Sequence, residues 1–291
     1  MPNVTIANTT LRVVLDERGT PGDTDVPTFV VGGVSTCGQA ETRALDDAFD
    51  EWRRANQASN KARKWDPSLF IGFAEILIAQ KARPFSVTFA STPSNISVLK
   101  SHVADLVPAR LAAGRPPEPE LATSVRNWLW GHFVASSLAI NLFSLALSYR
   151  RVRAVDIAVG RYSLSTWERN LLERSLRGIT GNELNRHVPE ALERRGFPTP
   201  IVSAWRQRVG RAAAWAQPSV RTEVSGKRIA MADAYCALVG RSCDGDLQAA
   251  AALRRLVQAF ERIDGKDPLY LMNDLTLDIL RVARLGWPKH I

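Results

Sequence analysis

The stretch LRVVLDERGTPGDTDVPTFVVGGVS, Leu11 to Ser35, decides the fold class. LRVVLD, Leu11 to Asp16, is a short β-branched run that stops at an acidic pair, Asp16 and Glu17. ERGTPGDTDVP is dense in Gly, Pro and Asp, which is turn chemistry. TFVVGGVS, Thr28 to Ser35, reads as a second buried strand, so the two pair as an antiparallel hairpin with a long loop.

Working outward, Gln39 to Gln57 carries Leu45, Ala48, Phe49 and Trp52 at helical spacing, with acids early and Arg53 and Arg54 late, an order that suits the helix dipole. A basic loop, NKARKW, follows. Pro67 opens a second helix, Pro84 ends it, and Phe85 to Ala90 is a third strand. A helix is predicted from Asn95 to Ala113, then a Pro-rich connection, then a long apolar helix from Leu121 to Tyr149 with a kink near Gly131. Val152 to Gly160 is a fourth strand with Asp156 inside it, and helical segments fill Leu164 to Ala216. Ser219 to Ser225 is a last short strand and Ile229 to Arg241 an apolar helix broken by Asp233. Two amphipathic helices, Leu247 to Ile263 and Pro268 to Ala283, finish the chain. The order predicts an α/β protein with a mixed sheet, read as a single domain over 1–291 with a helical insertion at about 95–149 and a helical extension at about 246–291.

Charge is the compositional outlier. The 291 residues carry 38 Lys+Arg against 29 Asp+Glu, a formal net charge of +9, and Arg greatly outnumbers Lys. That balance favours a polyanionic partner such as nucleic acid. Cys37, Cys236 and Cys243, and the four His residues, lack the spacing of a zinc site or redox motif. MPNVTIANTT has neither a basic flank nor an apolar core of a signal peptide, and the most apolar run, Phe133 to Leu147, is short for a bilayer. The expected setting is cytoplasmic and off the membrane. Oligomeric state does not follow from the sequence.

Three acids interrupt apolar runs: Asp16, Asp156 and Asp233. A buried carboxylate must be paired, protonated or holding a cation. Read singly, each is a turn-former or the partner of a nearby arginine. Read together, acids from two strands and one helix suit a two-metal site for Mg²⁺ or Mn²⁺, whose ions sit roughly 3.5–4 Å apart and stabilise attacking and leaving oxygens.

These residues resemble the domain-of-unknown-function family 3800, whose members have ribonuclease H-type folds and are regarded as nucleases. That family opens on a strand ending Asp-Glu-Ser-Gly. Here VVLDERGT matches at Asp16, Glu17 and Gly19, with Arg18 in place of the Ser. AVDIAVGR with Asp156 is similar to its middle strand, and AMADAYCALVG with Ala232 and Asp233 to its last motif. The resemblance implies a ribonuclease H-like sheet, antiparallel in its first three strands and then parallel, with helices on both faces. It further implies a metal-dependent nuclease in which Asp16, Asp156 and Asp233 hold the ions, Glu17 assists, and Lys64 and Arg18 contact phosphate. One departure is plain: Ala62 stands where many members carry a Glu two residues before the Lys, here Lys64. Glu17, Glu41 and Glu75 are the acids that could replace it.

Two other readings compete. One is a descendant of the same fold, catalytically impaired, that binds nucleic acid or a protein. The other is suggested by LDERGT, which resembles the Asp-x-Asp-Gly-Thr opening of haloacid dehalogenase-type phosphatases. Arg18 stands where that second Asp would act, and a cation cannot protonate a leaving group there. The pairs Arg53–Arg54, Arg150–Arg151 and Arg206–Arg208 are candidate backbone contacts, and Trp65, Trp128, Trp130 and Trp205 are either base-stacking platforms or core.

Overall fold

The structure is a computed structural model that describes residues 9–21, 26–112, 124–148, 152–160, 163–178, 219–223 and 226–264, with short pieces at 193, 199–200 and 202–203. Five strands form one mixed sheet: β1 (Thr9–Arg18), β2 (Thr28–Cys37), β3 (Arg83–Ala90), β4 (Val152–Gly160) and β5 (Ser219–Glu223). Their order across the sheet is β3-β2-β1-β4-β5. β2 runs antiparallel to β1 and β3, whereas β4 runs parallel to both β1 and β5. The predicted hairpin and the switch from antiparallel to parallel pairing are both present.

The strand period of two sorts side chains between two cores. Leu11, Val13 and Leu15 of β1 join Phe29, Val31, Val155, Ile157 and Val159 on one face. The cover there comes from α4 (Val125–Leu129), α5 (Ala135–Ser148) and α6 (Thr166–Gly178). Between α4 and α5, Trp130–Val134 makes a single π turn, which is the irregularity expected near Gly131. Val14, Val30 and Val34 point to the other face. Helices α1 (Gln39–Ala55), α2 (Leu69–Ala79), α7 (Lys227–Cys243) and α8 (Leu247–Asp264) cover it. Helix α3 (Pro93–Ala112) follows β3. The expected helix at 268–283, most of 179–216, and the Arg150–Arg151 and Arg206–Arg208 pairs lie outside the described residues.

Local chemistry explains the elements that frame the site. Helix α1 has Glu41 in its first turn and Arg53 and Arg54 in its last. Glu41 Oε2 also accepts the Cys37 N–H at 2.9 Å, tying the end of β2 to the helix start. Helix α6 opens with a capping box: the Ser165 N–H donates to Glu168 Oε2 at 2.7 Å, and the Glu168 N–H to Ser165 Oγ at 3.2 Å. At Gly33 the sheet tolerates no side chain, because a Cβ there would stand 1.7 Å from the Val14 carbonyl oxygen.

Candidate functional site: a divided acidic centre

The last turn of β1 aims its two acids at opposite faces. Asp16 points toward α7, as Val14 does, and Glu17 points toward α4 and α6.

On the α7 side, Asp16 Oδ1 accepts a 2.5 Å hydrogen bond from Ser163 Oγ, in the turn after β4. Burial pushes its pKa up to about 6; the Ser163 bond and the Glu17 N–H pull it down, and the charge of Asp233 pushes it up. Asp233 of α7 is thus the second acid of this pocket. Its Oδ2 accepts the Ala62 N–H at 2.8 Å from a 3₁₀ turn, Ala62–Lys64. Burial raises the Asp233 pKa, while the Ala62 bond and the charges of Arg63 and Lys61 lower it. Ala62, where the family resemblance implies a Glu, therefore contributes its backbone N–H to the remaining acid.

On the other side, Arg126 of α4 holds two glutamates. Its Nη1 donates to Glu17 Oε1 at 2.9 Å, and its Nε to Glu168 Oε1 at 2.6 Å. Glu17 Oε2 lies 2.7 Å from Nη2, within ion-pairing range though off the hydrogen-bond direction. Nη2 also donates to the Ser163 carbonyl at 3.0 Å, so one guanidinium links β1, α6 and the turn beside Asp16. Burial pushes Glu17 up to about 7; Arg126 lowers it, and Glu168 and Asp16 oppose that. One cation serves two carboxylates.

The expected convergence of three aspartates does not occur. In the parallel pairing of β1 with β4, Asp156 stands opposite Arg12, four positions before Asp16. At about 3.3 Å per residue that is roughly 13 Å along the sheet, too far for a shared ion. Asp156 is instead bound by Arg221, whose Nε lies 3.1 Å from Oδ1, and by Ser219 Oγ at 3.2 Å. The assignment of Asp156 to a common metal centre is corrected by that register. The substitutes considered for the missing Glu are also occupied: Glu17 by Arg126, Glu41 by the Cys37 N–H, and Glu75 by Arg255.

The proposed phosphate contacts fare differently. Arg18 is paired with Asp244 at 2.7 Å and runs over Gly240 of α7, so it is an ion-paired cation and no general acid. Lys64 is exposed on the 3₁₀ turn, and it is its neighbours Lys61 and Arg63 whose charges act on Asp233. Trp65 and Trp130 are buried core, Trp65 within a cluster of Trp52, Phe70 and Phe73, so neither offers a face to a base. Trp128 is partly buried against the other core, and Trp205 lies outside the described residues.

Sequence reasoning missed Ser163, Arg126 and Glu168. Glu168 had a signal, the Ser165-x-x-Glu168 spacing of a capping box. Arg126 and Ser163 had none, since only the fold brings them to β1.

Among the described residues, no three His, Cys, Asp or Glu side chains gather where they could hold a metal ion. Asp16 and Asp233 alone are too few donors for a two-metal centre, and each already spends one oxygen on a hydrogen bond. Among the same residues, no helix is long and apolar enough to cross a membrane. Comparison with protein-family models, with curated proteins and with solved structures finds no match.

Proposed function

We propose that this chain is a nucleic-acid-binding module on a ribonuclease H-like sheet, in which the acids of a hydrolytic centre are reduced to the Asp16–Asp233 pair. The β3-β2-β1-β4-β5 order, with its change from antiparallel to parallel pairing, supports the fold reading. The net charge of +9 supports the polyanionic partner. So do Lys61, Arg63 and Lys64, which stand exposed on one short segment beside Asp233. The three free thiols fit a reducing, cytoplasmic setting.

One observation carries the choice of binding over turnover. The β1–β4 register gives Asp156 to Arg221, while Glu17 is held by Arg126, and among the described residues two carboxylates remain where phosphodiester hydrolysis by two ions needs more. Burial raises the pKa of both carboxyls, Asp16 to about 6, so the pair takes up a proton more readily than exposed aspartates do.

The test is a binding and cleavage assay with labelled single- and double-stranded DNA and RNA across a salt series, with and without Mn²⁺. Expected is binding that weakens steeply with salt, no cleavage, and Asp16→Asn binding like the wild type. Mn²⁺-dependent cleavage that disappears in Asp16→Asn would overturn the proposal and restore the nuclease reading.

A further inference from the structure

Four residues before Asp16 along β1, a cleft opens around Arg12 between the sheet and helices α1 and α7. Five charged residues line it: Arg12 of β1, Asp46 of α1, Asp156 of β4, Arg221 of β5 and Arg228 of α7. Val14 and Met231, both buried, contribute an apolar floor, which strengthens any electrostatic contact made above it.

Four of the five charges cancel in pairs. Arg228 Nε donates to Asp46 Oδ2 at 2.8 Å, and Arg221 Nε reaches both oxygens of Asp156 at 3.1 and 3.3 Å. Both contacts are made through Nε, and no described residue accepts from the terminal nitrogens of either arginine. Arg12 is the odd cation. It faces Asp156 in the strand register, yet Asp156 is turned to Arg221. Arg12 Nε is shielded from solvent with no hydrogen-bond partner, and among the described residues no carboxylate pairs with Arg12. A shielded donor without an acceptor is costly to leave in a folded protein. Three guanidinium groups against two carboxylates give the cleft one net positive charge.

We propose that this cleft binds a phosphomonoester group, with Arg12 as its principal contact and Arg221 and Arg228 as flanking donors. Planar guanidinium forks match phosphate oxygens in pairs, and a phosphate with three terminal oxygens accepts from three directions at once, which a carboxylate cannot. The group can belong to a free nucleotide or to the 5′ end of a nucleic-acid strand. The site stands independently of the nucleic-acid reading above.

Calorimetric titration of the full chain with inorganic phosphate at low ionic strength tests it. Saturable binding is expected, weakened by about tenfold or more in Arg12→Gln. Asp156→Asn, which removes a competing anion and releases Arg221, is expected to bind phosphate more tightly, a gain that a merely structural role for these residues would not produce. Titrations with AMP, and with a dinucleotide carrying a 5′-phosphate or a 5′-hydroxyl, separate the sources. Preference for AMP marks a free nucleotide and preference for the phosphorylated dinucleotide marks a strand end, and either supports the site. Absence of saturable phosphate binding overturns the proposal, as does equal binding by wild type and a folded Arg12→Gln. Should Arg12→Gln fail to fold, unchanged or weaker binding by Asp156→Asn overturns it instead.

Discussion

Replacing Arg126 with Met tests the reading of the β1 terminus most directly. The side chain is about three-quarters buried, with 24% of its surface exposed, and its partner Glu168 is almost fully enclosed at 2%. Met keeps much of the length and apolar stem but leaves Glu17 and Glu168 facing each other without a cation. Stranding buried carboxylates in this way costs about 3–5 kcal/mol when both are ionised. The cost depends on pH because protonation relieves it. Glu17 sits at about 7 in the folded wild type, above its ordinary 4.5, so the folded state binds more protons than the unfolded state between those values. Stability from Glu17 is therefore fully present below pH 4.5 and is lost as pH rises through 7, by roughly 3 kcal/mol in all. Without Arg126 the folded Glu17 pKa rises further, and the window of loss extends upward. Urea unfolding at pH 5 and pH 8 reads this out. The expected destabilisation by Arg126→Met is several kcal/mol at pH 8 and clearly smaller at pH 5. Glu17→Gln should flatten the wild-type decline between pH 4.5 and 7. Equal destabilisation by Arg126→Met at both pH values would refute the argument, because a loss due to packing alone is indifferent to carboxyl protonation.

Asp16→Asn should remove the part of the pH dependence that runs from about 4 to 6, and raise stability at pH 8 by up to about 3 kcal/mol, since the folded carboxyl is held near 6; denaturant midpoints across pH check it. Gly33→Ala should destabilise by about 3 kcal/mol or more, visible as a lowered Tm, because its methyl group meets the Val14 carbonyl of the paired strand; an unchanged Tm would mean that β1 and β2 lie farther apart. Trp65→Ala should lower stability by about 3–5 kcal/mol as a core truncation, and at a temperature where the variant is folded its nucleic-acid affinity should match the wild type; a selective loss of affinity would place Trp65 at the interface.

Most of the fold was legible because its signals are local. The alternation in LRVVLD and TFVVGGVS, the turn chemistry between them, and the helical spacing of Leu45, Phe49 and Trp52 each act within a few residues. The structure realises them as β1, β2 and α1. The parallel placement of β4 beside β1 was legible from the resemblance and from the helices that separate the two strands. Register was not legible. VRAVDIAVG satisfies a buried strand equally well in registers that differ by two or four residues, since the alternation repeats every two positions. The site depends on that one alignment.

With Leu15 opposite Val159, Asp156 falls in the middle of the parallel pair, opposite Arg12, and Gly160 at the exit end beside Asp16. Three consequences follow from the same offset. The turn beyond Gly160 delivers Ser163, a neutral hydroxyl, to the position where a strand-end acid would have met Asp16. Asp156, displaced, joins Arg221 and leaves Arg12 without a paired carboxylate among the described residues. The sheet thus carries an acid-rich site and an arginine-rich site about 13 Å apart on a single face. A shift of β4 by four residues would place Asp156 beside Asp16 and rebuild the metal-binding reading, while stripping the arginine cleft of one of its acids. Both functional proposals therefore read the same β1–β4 register through Asp156, although phosphate binding in the cleft does not require nucleic-acid binding elsewhere.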